Sequence, residues 1–227
     1  MGIPVMVLGE SGSGKTYSIK NMDPETTGIL MVEKGRLPFK KQFPKACRNA
    51  DYPKIMATLR AHNLSRYVID DSQYLLVNEF FDRAKETGYN KFTDLALNFR
   101  NLIHFVIRST PDNCIVYFLH HVETDANGKL KAKTIGRLLD EKLTVEGLFD
   151  IVLRTQIENG EHFFITQSDG MDTVKSPEEM FDRKIPNDLA EVDRLIREYY
   201  GLDDNPTPAD PAGNKNVVVT TSEKIGG

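Results

Sequence analysis

The sequence predicts an α/β protein with a mainly parallel central sheet and an antiparallel hairpin towards its C-terminus. Three observations carry this expectation. Short apolar runs rich in β-branched residues recur at 3–8, 27–33, 66–71 and 114–119, as strands covered on both faces require. Between them lie segments with apolar residues at helical spacing, such as Leu95, Phe99, Leu102, Ile103 and Val106. Two further runs, 150–155 and 161–167, flank Glu158-Asn159-Gly160 and read as a hairpin. Strands alternating with helices give a parallel sheet, and a terminal hairpin extends it.

Taken in order, the first strand (3–8) runs into a glycine-rich loop and then a first helix over 17–21. The second strand (27–33) ends in Glu33, followed by Lys34-Gly35. Residues 36–52 read as irregular, basic and punctuated by proline, and 53–62 as a short helix. The third strand (66–71) ends in Asp70-Asp71 and is followed by helices near 73–87 and 92–109. The fourth strand (114–119) ends at His120-His121. After an Asn127-Gly128 turn come a lysine-rich segment and a helical stretch near 137–147. A final amphipathic helix is expected over 188–200, with Leu189, Val192, Leu195, Ile196 and Tyr199 on one face. From Gly201 the composition shifts to Asp, Pro, Asn, Thr and Gly, which predicts one domain over 1–200 and a flexible tail over 201–227. Residues 217–219 could add an edge strand or a partner-binding segment, and there is no internal repeat.

Composition narrows the class. A chain of 227 residues with 40% apolar and 27% charged residues can bury a substantial core. No apolar run approaches the roughly 20 residues that span a bilayer. The N-terminus leads straight into the first strand without a basic region, so no signal peptide is expected. Cys47 and Cys114 form no metal or redox spacing, and a reducing cytoplasm is the expected setting. A net charge of −4 argues against wholesale coating of nucleic acid and leaves room for a local basic path.

The residues with chemistry to do begin at Gly9-Glu10-Ser11-Gly12-Ser13-Gly14-Lys15-Thr16, which fills every fixed position of GxxxxGK[ST] between a strand and a helix. Gly9, Gly12 and Gly14 let the backbone turn its N–H groups inward as an anion nest, and the helix start adds to that field. Lys15 would reach the β- and γ-phosphates of a nucleoside triphosphate, and the Thr16 hydroxyl would ligate Mg²⁺. Such a site needs a further acid at a buried strand end. Asp70 fits as the acid after four strand residues, and Asp71 fits as the acid before Ser72. Neighbouring strand residues point oppositely, so only one of the two faces the metal. Capping of the next helix is the plainer role for this pair.

Glu33 ends the strand after the loop helix, where a carboxylate can orient a water in line with the γ-phosphate. His121, rather than His120, is favoured as a polar sensor of that phosphate. No Cys or His partner stands at a metal-ligand spacing from either. Lys129, Lys131, Lys133 and Arg137 put four cations into nine residues. They can line a single-stranded nucleic-acid path, or simply keep a loop soluble. Arg137 or Lys142 can instead reach the γ-phosphate of a neighbouring subunit.

In order and spacing, GESGSGKT, ILMVEKG, YVIDDSQYL and IVYFLHHVE resemble the RecA-like ATPase core. Over residues 3–200 the chain resembles more closely the small phage-encoded AAA-type ATP-binding proteins related to Sak-group single-strand annealing ATPases. PETTGILMVEKGRLPFK, KAKTIGRLLDEKLTVEGLFDIVL and SPEEMFDRKIPNDL carry that likeness. It implies a RecA-like fold and a phage origin, hence the cytoplasm of a bacterial host. It also implies ATP and Mg²⁺ as ligands, a role in replication-linked recombination, and work on single-stranded DNA, in a homo-oligomer or with a recombination or replication protein. Residue by residue it marks Gly9 to Thr16 as the phosphate loop, Glu33 as the base, Asp71 or Asp70 as the metal-linked acid and His121 as the sensor. The RecA core has glutamine at that sensor position. Two other activities suit the loop: a nucleotide-dependent switch answering a protein partner, and a small-molecule kinase with 129–137 as its lid.

Overall fold

The computed structural model describes residues 1–33, 35–61, 63–136, 138–139 and 143–205. Among the described residues nine strands form a mixed, mostly parallel sheet: β1 (Ile3–Gly9), β2 (Thr27–Met31), β3 (Ala46–Arg48), β4 (Arg66–Asp70), β5 (Ile115–Thr124), β6 (Leu130–Ala132), β7 (Ile151–Glu158), β8 (Glu161–Ile165) and β9 (Lys184–Pro186). The order across the sheet is β3-β2-β4-β5-β1-β7-β8-β9, parallel from β3 to β7 and antiparallel from β7 to β9. Strand β6 pairs antiparallel with the outer half of β5.

The sheet is central because its strands are apolar on both sides. In β1, Val5 and Val7 face one cluster with Ile29, Val68, Tyr117 and Leu153, while Met6 and Leu8 face another with Leu30, Ile69 and Phe118. Helices α1 (Tyr52–Arg60), α2 (Tyr74–Asp82) and α3 (Asn90–Ser109) supply side chains to the second cluster, including Ile55, Leu76, Phe99 and Ile103. The first cluster is closed by Ile19 and by Leu189, Val192 and Ile196 of α4 (Leu189–Tyr200). Caps fix two helix starts: Asp51 accepts from Lys54 N–H at 2.9 Å, and Asp188 accepts from Ala190 N–H at 2.9 Å. Gly201, at φ 63°, ends α4 in the left-handed region that glycine tolerates.

Several expectations change. The segment read as irregular contains edge strand β3, three residues that borrow their pairing from β2. The fourth strand runs on through both histidines, which pair with Leu8 and Gly9 of β1, and then to Thr124, where β6 supplies the partner. The lysine-rich segment is therefore part of a hairpin, not a loop. Strand β9 is too short to show a period of two and exists by pairing with β8. Within the helical stretch expected near 137–147, Val145–Leu148 forms a 3-10 turn, while 137 and 140–142 lie outside the described residues. Gly201–Asn205 is docked rather than loose: Ser65 Oγ donates to Asp204 O at 2.7 Å, and Arg197 Nη1 donates to Asp203 O at 2.7 Å. The remainder of the expected tail, including 217–219, lies outside the described residues.

Candidate nucleotide site

A cavity of about 670 Å³ opens at the C-terminal ends of β1, β2, β4 and β5. Ser11, Gly12, Gly14, Lys15, Thr16, Glu33, Asp70, Asp71 and His121 line it, together with Tyr17, Arg36, Tyr74 and His162. Open α/β sheets place ligands in this position, where β1 has neighbours leading in opposite directions along the chain. Sequence reasoning brought nine of these residues to one place only as a list; the parallel order of the strands brings them together in space.

The glycine-rich segment leaves β1 and bends back over its end. Gly12 and Gly14 have φ of 77° and 98°, a region closed to most side chains. Among the described residues, the N–H groups of Gly12, Gly14 and Lys15 find no acceptor in the protein, whereas the Ser13 N–H donates to Glu10 O at 3.3 Å. Gly9 is a close approach: a Cβ there would lie 2.0 Å from Thr155 Oγ1 and 2.5 Å from Ser13 Oγ. Thr155 on β7 donates to Ser13 Oγ at 2.6 Å, and the Ser13 hydroxyl donates to Glu10 O at 2.7 Å. After the loop comes a six-residue 3-10 helix, Thr16–Asn21, so the field at this loop comes from local N–H groups more than from a long helix.

The Lys15 ammonium is buried and donates to the carbonyls of Gly9 and Glu10, both at 2.9 Å. Burial pulls its pKa below the usual lysine value, and the nearby charges of Asp71, Asp70 and Glu10 oppose that fall. Loop carbonyls are neutral acceptors, weaker partners for a cation than anions.

The two acids separate cleanly. Asp70 closes β4, is buried, and accepts from Thr16 Oγ1 at 2.9 Å. Burial, with the neighbouring Asp71 charge, raises its pKa to about 6. Asp71 begins the turn into α2 at φ 59°, and its carboxylate sits 3.4 Å from His121 Nε2. The Thr16 hydroxyl thus meets Asp70, the choice that strand alternation left open, and Asp71 belongs to the histidine.

The histidines also divide. His120 is fully buried, with Nδ1 2.9 Å from Ser72 Oγ and Nε2 2.9 Å from Lys133 O. A carbonyl only accepts, so Nε2 carries the hydrogen, and the Ser72 hydroxyl lies between Nδ1 and the Leu119 carbonyl, 3.1 Å away. Burial lowers its pKa to about 4, which keeps the ring neutral. His121 instead lines the cavity, with Tyr74 packed edge-on at 5.9 Å.

Glu33 lies two residues beyond β2 on the cavity wall. Its Oε1 accepts from Asn78 Nδ2 of α2 at 2.8 Å. Asn78 had no sequence signal, because an asparagine inside an amphipathic helix looks like any solvent-facing position. His162 was missed because a lone histidine in a hairpin strand carries no pattern of its own.

The basic segment does not join this group. Lys131 pairs with Glu123 at 3.2 Å across the β5–β6 hairpin, Lys129 is half-buried beside Asp125, and Lys133 is exposed. Arg137 and Lys142 lie outside the described residues. Both cysteines are free, and Cys114 is buried in the core. Among the described residues no helix is long and apolar enough to cross a membrane, and no cluster of three or more His, Cys, Asp or Glu is arranged to hold a metal. No protein-family model matches the chain, and no curated protein matches it.

Proposed function

We propose that this chain is a Mg²⁺-dependent ATPase with a RecA-like core. One arrangement carries the reading: Lys15, the Thr16–Asp70 pair and Glu33 line a single cavity with free loop N–H groups. The loop amides and Lys15 would bind the phosphates, with Lys15 trading two carbonyl contacts for charge-assisted ones.

The residues fit a hard divalent cation, for Thr16 and Asp70 offer a hydroxyl and a buried carboxylate oxygen 2.9 Å apart. Such an ion, when bound, neutralises phosphate charge. Asp70 would hold it directly or through water. Glu33, held by Asn78, would orient the attacking water and accept its proton. His121, beside Asp71, would sense the terminal phosphate.

What hydrolysis drives is proposed from the resemblance: phage DNA recombination or replication on single-stranded DNA, by a homo-oligomer in the host cytoplasm. A second reading is a nucleotide-dependent switch or loader answering a recombination or replication protein. The Lys131–Glu123 pair favours it, because it ties down a cation that a DNA path would use. The decisive experiment is steady-state ATP hydrolysis with and without single-stranded DNA, at low and moderate salt, beside Glu33→Gln. Salt-sensitive stimulation that vanishes in the variant supports the DNA-coupled enzyme. A slow rate that DNA leaves unchanged, and a partner protein raises, supports the switch. Phosphate transfer to a nucleoside would replace both with a kinase.

A further inference from the structure

The phosphate loop is gripped from behind by the antiparallel extension of the sheet. His162 on β8 places Nδ1 3.0 Å from Ser13 O, and Asn187, just past β9, donates from Nδ2 to Gly14 O at 3.0 Å. Because a carbonyl only accepts, His162 holds its hydrogen on Nδ1, and Asn187 turns its NH₂ towards the loop. Asn187 Oδ1 is buried with no partner among the described residues, so this amide acts on the loop purely as a donor. The two grips are linked: Asn187 N–H donates to His162 O at 3.2 Å. Their approach needs a glycine, since a Cβ on Gly14 would lie 2.5 Å from Asn187 Nδ2 and 2.7 Å from His162 Nδ1. Next in sequence, Asp188 accepts from Asn21 Nδ2 at 2.8 Å, at the end of the 3-10 helix after the loop.

We infer that His162 and Asn187 are positioning residues for the phosphate loop, and that strands β8 and β9 are thereby part of the nucleotide site. A peptide unit presents its N–H on one side and its C=O on the other. Fixing the Ser13 and Gly14 carbonyls against β8 and β9 stops those units from rotating and turning a carbonyl towards the phosphates. The Gly14 and Lys15 N–H groups then wait in the orientation an anion needs, so less ordering remains at the moment of binding. This rests on the proposed nucleotide site for its purpose, though not for its geometry.

Two measurements test it on the full chain: hydrogen–deuterium exchange across residues 9–18 without nucleotide, where the Ser13 and Ser18 N–H groups, bonded to Glu10 O and Gly14 O, report loop opening, and titration with a fluorescent ATP analogue. His162→Ala and Asn187→Ala are expected to speed loop exchange and to weaken binding, each by ~10-fold, the equivalent of one lost hydrogen bond. His162→Gln, which restores a donor, should recover most of both, and the exposed Glu161→Ala on β8 should change neither. Asn187→Asp keeps the shape and puts an acceptor against Gly14 O, so it must also speed exchange, even if an alanine variant fails to fold. Loop exchange equal to wild type in Asn187→Asp and the folded alanine variants overturns the inference. Wild-type protein that binds no nucleotide overturns the ATPase reading alone, and the exchange data still decide the grip.

Discussion

The Thr16 hydroxyl donates to Asp70 Oδ1 at 2.9 Å, joining the end of the glycine-rich loop to the end of β4. Strand β5 lies between the strands that carry them, so the contact spans the sheet above the β5 end. Asp70 is also the acid that burial discourages from ionising. The Thr16 hydroxyl, the Asp71 N–H and the Lys15 charge only partly offset that burial, and a divalent cation would offset more. Asp70→Asn should therefore cut Mg²⁺-dependent turnover by ~100-fold, while Asp71→Asn costs less than ~10-fold. Turnover measured across a Mg²⁺ titration checks this, and equal losses in both variants would refute the separation.

Glu33 and Asn78 should behave as a base and its holder. Glu33→Gln is expected to lower kcat by ~100-fold or more with nucleotide affinity retained, as loss of general-base help does. Asn78→Ala removes one hydrogen bond to the carboxylate and should lower kcat by only ~3- to 10-fold. Single-turnover rates beside nucleotide titrations separate the two effects; a rise in Kd without a fall in kcat would place Glu33 in binding instead.

Two loop glycines are required for different reasons, and denaturant unfolding can tell them apart. An alanine at position 9 would drive its Cβ into Thr155 and Ser13, so Gly9→Ala should destabilise the fold by about 3 kcal/mol. Gly12 has nothing within 4 Å of such a Cβ, and Gly12→Ala pays only for its positive φ, about 1 kcal/mol. Reversed magnitudes would mean that the loop does not pack against β7 as described.

His120 gives a pH signature. Its folded pKa, about 4, lies below the ordinary 6.5, so the unfolded chain binds the extra proton first. Its contribution is fully present above pH 6.5 and is lost as pH falls through about 4. The stability of wild type should drop more steeply across that window than that of His120→Gln, measured by urea unfolding at several pH values. Parallel curves would show that the ring is solvated.

The sequence by itself determined the strands of the parallel core and the glycine-rich turn that follows β1. Apolar runs covered on both faces, three glycines and a GKT end are local properties, and each can be read from a window of a few residues. It also named Glu33, both acids and His121, because each ends an apolar run. Tertiary structure decided what depends on partners distant in the chain. Which aspartate meets Thr16 follows from the pleat of β4 beside the loop, and which histidine faces the cavity follows from the pleat of β5 where it continues beside the end of β1. Strands β3 and β9 have no period of their own and form by pairing. Asn78, His162 and Asn187 look ordinary in sequence because a hydrogen bond to a residue about 45, 149 or 173 positions away leaves no local pattern. Periodicity reports a residue's own strand or helix; the groups that hold a site in place come from other ones, and only the folded sheet brings them within reach.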